Sequence, residues 1–185
     1  MKRVAVLASY NGSGFKALYE ASIKKELDLE IVMLISNNSD ASALKSALEY
    51  GIENIVVNSK TDSNPDAKIE ELLRRSRCDY VFLSGYMKKL SPSIVSSFKI
   101  INSHPSLLPK YGGAGMYGRF VHEAVIRNSE KQSGVTIHEV NENYDEGRVI
   151  LQKKVILDKD ENAESLEAKV KELELKTIVE AFKNI

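Results

Sequence analysis

The chain has 185 residues, the size of one domain, and its 43% hydrophobic and 28% charged residues exclude a disordered, collagen-like or coiled-coil chain. Lysine plus arginine and aspartate plus glutamate number 26 each, so the basic excess of a non-specific nucleic-acid binder is absent. The single cysteine, Cys78, rules out an intrachain disulfide or a cysteine-rich zinc site and favours a reducing compartment.

In chain order, the apolar run Val4 to Ala8 reads as a strand covered on both faces. It is too short for a secretion signal, and no segment is long enough to span a bilayer, which together predict a soluble cytoplasmic protein. Helix Gly14 to Lys25, strand Leu29 to Ser36, helix Ala41 to Tyr50, strand Asn54 to Asn58 and helix Pro65 to Arg75 follow. Tyr80 to Leu83 is the next strand, Ser91-Pro92 opens a short helix to about Phe98, and Ile100 to Asn102 is a brief strand. Such strand and helix alternation predicts a right-handed, doubly wound α/β sheet.

The pattern then changes. Pro105 to Gly118 is rich in proline and glycine and lacks periodicity, which marks a functional loop, with Gly112 to Gly118 expected to close over a substrate. Helix Arg119 to Asn128 precedes two β-rich runs, Val135 to Val140 and Arg148 to Leu157, which can pair antiparallel, and Glu164 to Lys183 closes the chain as a long helix. The expected architecture is a single domain, 1–185, with a mostly parallel Rossmann-like sheet, an antiparallel C-terminal strand region and a long C-terminal helix.

Three stretches could carry chemistry. Asn11, Gly12, Ser13 and Gly14 lie between the first strand and helix, where free backbone N–H groups and the helix dipole can hold a phosphate; the same residues also read as a turn with Ser13 as cap. Gly12 to Ala17 fits G-x-G-x-x-A, but its first glycine comes late and no clear acid ends the second strand, so a small phosphate ester suits it better than a dinucleotide.

Asn102 and His104 sit two apart at a strand's carboxyl end and can face one cleft. An amide donor beside an imidazole suits an acyl-type transition state, one stabilising an oxyanion and the other donating or moving a proton. The plainer reading is a capping asparagine and a buried, hydrogen-bonded histidine. Asp145, within Tyr144 to Gly147, is either a turn residue or, if the fold brings it to His104, an orienting or proton-transfer carboxylate. His122 and His138 can each be a satisfied structural histidine, a reading that favours His122 over His138, and three unclustered histidines predict no metal.

Taken together, Ser9 to Ser13, Leu83 to Met87 before Leu90-Ser91-Pro92, Asn102 to Pro109, Gly134 to His138 and Tyr144 to Gly147 resemble the phosphoribosylglycinamide formyltransferases. The likeness runs along essentially the whole chain. It implies transfer of a formyl group from 10-formyltetrahydrofolate, as co-substrate, to the amine of 5′-phosphoribosylglycinamide in purine biosynthesis. It implies no metal, no nucleic acid and no membrane, and a monomer or homodimer.

By the same likeness Asn102, His104 and Asp145 are catalytic, with His138 supporting them. Asn11, Gly12, Ser13, Gly14, Lys171 and Glu174 are implied to hold the phosphate and ribose. Read alone, Lys171 and Glu174 share a helix face and could be no more than a solvated ion pair. Met87, Lys88, Lys89 and Leu90 with Asn141, Glu142, Asn143 and Tyr144 are implied to hold the folate. Tyr10, Gly14, Ser103, Gly112 and Arg148 depart from the usual family residues. A hydrolase that deformylates the folate with water, and a non-catalytic phosphate or folate binder, are the competing readings.

Overall fold

The computed structural model describes residues 1–185 and divides into two compact units, 1–101 and 102–185. The first unit runs β1 (Lys2–Leu7), α1 (Ser13–Ile23), β2 (Leu29–Ser36), α2 (Ser42–Glu49), β3 (Asn54–Val56), α3 (Pro65–Ser76), β4 (Tyr80–Leu83) and α4 (Pro92–Ser97). β1 pairs in parallel with β2 on one side and β4 on the other, and β2 continues in parallel to β3. Val4 to Ala8 are wholly inaccessible to solvent. Burial on both faces is why this strand reads as a continuous apolar run instead of an alternation.

Punctuation is local. Asn64 Oδ1 accepts from the Ala67 N–H and Ser91 Oγ from the Ile94 N–H, each just before a proline that opens its helix. At the carboxyl ends of the strands, Ser9 Oγ donates to Asn37 Oδ1 at 2.6 Å and accepts from the Met87 N–H at 2.8 Å. One hydroxyl thereby ties together the loops that leave β1, β2 and β4.

The strand β5 (Ile100–His104) leads into the second unit, which holds α5 (Arg119–Arg127), β6 (Gln132–Glu139), β7 (Val149–Ile156) and α6 (Ala163–Asn184). β6 and β7 are antiparallel from Gln132 opposite Ile156 to His138 opposite Val149, with a register shift between Ile137 and His138. α6 opens with a capping box between Asn162 and Ser165 and buries Leu166, Val170, Ile178 and Phe182 as it packs on β6, β7 and α5. The fold class is the expected one: parallel strands in the first unit, and in the second an antiparallel strand pair and a long last helix.

Differences from the sequence reading are confined to element ends. β5 continues through His104 instead of stopping at Asn102, and β6 begins at Gln132, ahead of Val135, because Gln132 to Gly134 already pair with Lys154 to Ile156. Ser13 is not a cap: the left-handed Gly12, at φ 59°, precedes it, and no side chain caps this end of α1. A Cβ on Gly134 would lie 2.0 Å from the carbonyl oxygen of Lys153 and 2.6 Å from Leu107 Cδ2, so β7 can approach only a glycine there. Gly134→Ala should therefore lower stability by about 1–3 kcal/mol; an unchanged urea midpoint would contradict this packing.

Candidate active site

β5 carries Asn102 and His104 on one face of an extended segment, and both meet groups supplied by β6 and the loop after it. Asn102 Nδ2 lies 3.2 Å from His138 Nε2. His104 Nδ1 lies 3.5 Å from Asp145 Oδ2, and His138 Nε2 lies 3.5 Å from Asp145 Oδ1, so one carboxylate stands between two imidazoles. The Gly113 N–H donates to Asp145 Oδ2 at 2.9 Å.

Local structure explains how Asp145 reaches this position. It lies in the β6–β7 loop with a left-handed backbone at φ 59°, a conformation that aspartate tolerates better than most residues. The loop closes where the Glu139 N–H donates to the Arg148 carbonyl at 2.9 Å. A Cβ on Gly147 would sit 1.7 Å from the Glu139 carbonyl oxygen, so the chain returns only because that side chain is missing. Arg148, one of the departures from the usual residues, pairs with Glu139 at 2.5 Å on the surface and spans the same closure.

Carbonyl oxygens only accept, and this sets the hydrogens on both rings. His138 Nδ1 lies 2.9 Å from the Glu139 carbonyl and must carry its proton there, so Nε2 accepts from Asn102 when the ring is neutral and donates to Asp145 when it carries a second proton. His104 Nε2 lies 2.7 Å from the Tyr111 carbonyl and likewise donates, so Nδ1 is the nitrogen that faces Asp145. The chain thus fixes the tautomers and orients the Asn102 amide, whose second N–H stays available.

Burial lowers the His104 pKa below the ordinary histidine value; the Asp145 charge and the Tyr111 carbonyl pull it up without cancelling that effect. Burial pushes Asp145 up, but the His138 hydrogen bond, the His104 charge and the Gly113 N–H together hold it below the ordinary aspartate value. A charged carboxylate beside a neutral, buried imidazole is the outcome at neutral pH. That arrangement can stabilise positive charge on an imidazole and shuttle a proton.

The other sequence candidates fall into separate places. In the second unit, Glu174 Oε1 accepts from Ser103 Oγ at 2.5 Å, whereas Lys171 reaches Glu167 at 2.6 Å. The solvated Lys171–Glu174 pair is therefore not formed, because the i,i+4 partner Glu167 takes the ammonium instead. Asn141 to Tyr144 are exposed loop residues next to Asp145, held locally by the Asn143 N–H donating to Asn141 Oδ1 and Asn143 Nδ2 donating to Glu146.

Gly112 and Gly113 are not loose. A Cβ on Gly112 would meet Leu108 Cδ2 at 2.5 Å and Asp145 Cβ at 3.1 Å, so the front of the glycine-rich loop is packed onto the site. His122 is buried as expected of a structural histidine, yet its Nδ1 has no hydrogen-bond partner. Sequence reasoning missed the Tyr111 carbonyl, the Gly113 N–H and the Ser103 hydroxyl, since backbone groups and a lone serine leave no signal in residue pattern.

In the first unit, Asn11 and Ser13 are exposed while Gly12 and Gly14 are buried at the uncapped start of α1. A cavity of about 750 Å³ opens at the carboxyl ends of β1 to β4, where ligands bind in open α/β sheets. Asn38, Asn58, Lys60, Tyr86 and Lys88 are among its lining residues. Met87 and Lys89 also line it, whereas Leu90 is buried and does not. Burial, helped by the Asp66 charge, pushes the Tyr86 phenol up to about 12, so it stays a neutral donor. No group of three or more His, Cys, Asp or Glu side chains is placed to hold a metal ion, and no helix is long and apolar enough to cross a membrane.

Against this geometry stand the likenesses to known proteins. The formyl transferase family model matches residues 2–182. The phosphoribosylglycinamide formyltransferase of Haemophilus influenzae is 36% identical over 179 residues, covering 94% of this chain and 82% of that protein. The chloroplastic enzyme of that name from Vigna unguiculata is 37% identical over 175 residues, 91% of this chain, but the chain spans only 56% of its length. The crystal structure of the phosphoribosylglycinamide formyltransferase from Bacillus halodurans superposes with a TM-score of 0.90 at 28% identity, covering 99% of this chain and 94% of that one.

The buried histidine sets a pH dependence. His104 is depressed below its ordinary 6.5 in the folded chain, so below that pH the unfolded chain binds more protons and stability falls. Asp145 adds a further loss below its ordinary 3.8. The melting temperature should drop as pH is lowered from 7 through 6 to 5, and His104→Gln should shrink that drop. An equally steep drop in the variant would assign the effect to other groups.

Proposed function

This chain belongs to the formyl transferase family, and on that premise we propose that it transfers a formyl group from 10-formyltetrahydrofolate to the amine of 5′-phosphoribosylglycinamide. The observation that supports this most is the array of Asn102, His138, Asp145 and His104, a carboxylate between two imidazoles with an amide donor beside it.

The amine nitrogen attacks the formyl carbon, a C–N bond forms, and the carbonyl oxygen takes up negative charge. The free N–H of Asn102 donates to that oxygen, and His104, neutral at rest, stabilises it further once it takes up a proton beside Asp145. The intermediate collapses by breaking the bond to the folate nitrogen. Asp145, through water, carries the proton from the attacking amine to that departing nitrogen. Holding both substrates in attack geometry supplies much of the remaining acceleration.

Asn11 to Gly14 bind the substrate phosphate on the free N–H groups at the start of α1. Lys171 and Glu174 serve the phosphate and ribose, for which Lys171 leaves Glu167. Met87 to Leu90 and Asn141 to Tyr144 hold the folate, and Lys88 meets its anionic tail. The chain works as one formyltransferase domain over 1–185, on small molecules in the cytoplasm and without a metal.

The test follows consumption of 10-formyltetrahydrofolate by the purified protein with and without the ribonucleotide, with the product weighed by mass spectrometry. Consumption that requires the ribonucleotide, with one formyl group gained, is the expected result. Formate release without it would replace the transferase by a hydrolase, and binding without consumption would leave a binding protein. Asn102→Ala and His104→Ala should each lower kcat by roughly a hundredfold or more, the scale of a lost oxyanion donor. Asp145→Asn should depress kcat more than it raises KM; a pure KM effect would demote it to a structural turn residue.

A further inference from the structure

Ser103 stands between Asn102 and His104 in β5, and strand alternation turns its side chain away from theirs. There its Oγ donates to Glu174 Oε1 at 2.5 Å, joining β5 to the middle of α6. That is the one hydrogen bond the Glu174 side chain makes. Burial raises the Glu174 carboxyl above its ordinary range, while the Ser103 bond and the Lys171 charge draw it back.

A carboxyl group can accept several hydrogen bonds, and the half-buried Glu174 takes only one from the chain. Lys171 does not supply the second, since it is drawn to Glu167. Oε2 of Glu174 is therefore an acceptor without a donor from the chain. A glutamate side chain has three rotatable bonds, and fixing one carboxylate oxygen fixes the direction in which the other is presented.

We propose that Ser103 is a positioning residue for the acceptor substrate: by holding Oε1 of Glu174 it presents Oε2 to a ribose hydroxyl of the phosphoribosyl amine. The inference rests on the reading that Glu174 serves the ribose. It gives the Ser103 hydroxyl a function.

The experiment measures binding of the ribonucleotide alone by calorimetry, then steady-state kinetics with both substrates, for the full chain and for Ser103→Ala, Ser103→Thr and Ser103→Val. Thr and Val have nearly the same shape and differ in the hydroxyl, so their comparison survives if Ala packs badly. Ala and Val should raise Kd and KM for the ribonucleotide about five- to tenfold, with kcat and the folate KM within twofold, and Thr should restore binding. In a Glu174→Gln background, removing the Ser103 hydroxyl should cost less than twofold. Equal ribonucleotide affinity of Thr and Val variants would overturn the proposal, as would a parallel rise in the folate KM. Failure of the unmodified chain to bind the ribonucleotide would instead overturn the functional reading on which it rests.

Discussion

The carboxylate of Asp145 is the constraint on which the second unit's chemistry depends. Only 11% of its side chain is exposed, so its charge must be met by protein groups. The His138 ring, the His104 ring and the Gly113 N–H meet it from β6, β5 and the glycine-rich loop. Three segments are therefore held at one point by a single anion. The left-handed backbone at Asp145 and the missing side chain at Gly147 are local requirements for keeping it there.

Magnitudes separate this network from the many ion pairs on the surface. Arg75 with Glu53, Lys176 with Glu172 and Met1 with Asp28 are exposed pairs, screened by water and weakened further by salt. The fold is instead carried by fully buried strands such as Val4 to Ala8 and by the apolar face of α6. In the first unit, polar order concentrates at the strand ends, where Ser9 links three loops around the cavity.

Element types were legible because their periods differ: uninterrupted apolar runs in the buried parallel strands, helical spacing with proline and asparagine or serine at helix starts. Ends were less legible, since β6 starts early only because β7 offers a partner for Gln132 to Gly134. The paired spacing of Asn102 and His104 announced one side of the site. The plainer alternative of a solvated Lys171–Glu174 pair does not form, because residues three and four apart compete for the same ammonium and Glu167 prevailed. His122 showed burial but not its unpartnered nitrogen, which depends on what α5 packs against.

By itself, then, the sequence determined the order and kind of nearly every element, the strand-end position of Asn102 and His104, and the glycine-rich turn at the start of α1. These follow from short-range rules, namely backbone conformation, side-chain alternation and the need to bury apolar faces. Tertiary structure alone decided that Asp145 stands between two imidazoles, that the Tyr111 and Glu139 carbonyls choose the ring tautomers, and that Ser103 holds Glu174. Each is a contact between segments far apart in the chain or made by backbone atoms, and residue pattern carries no record of either.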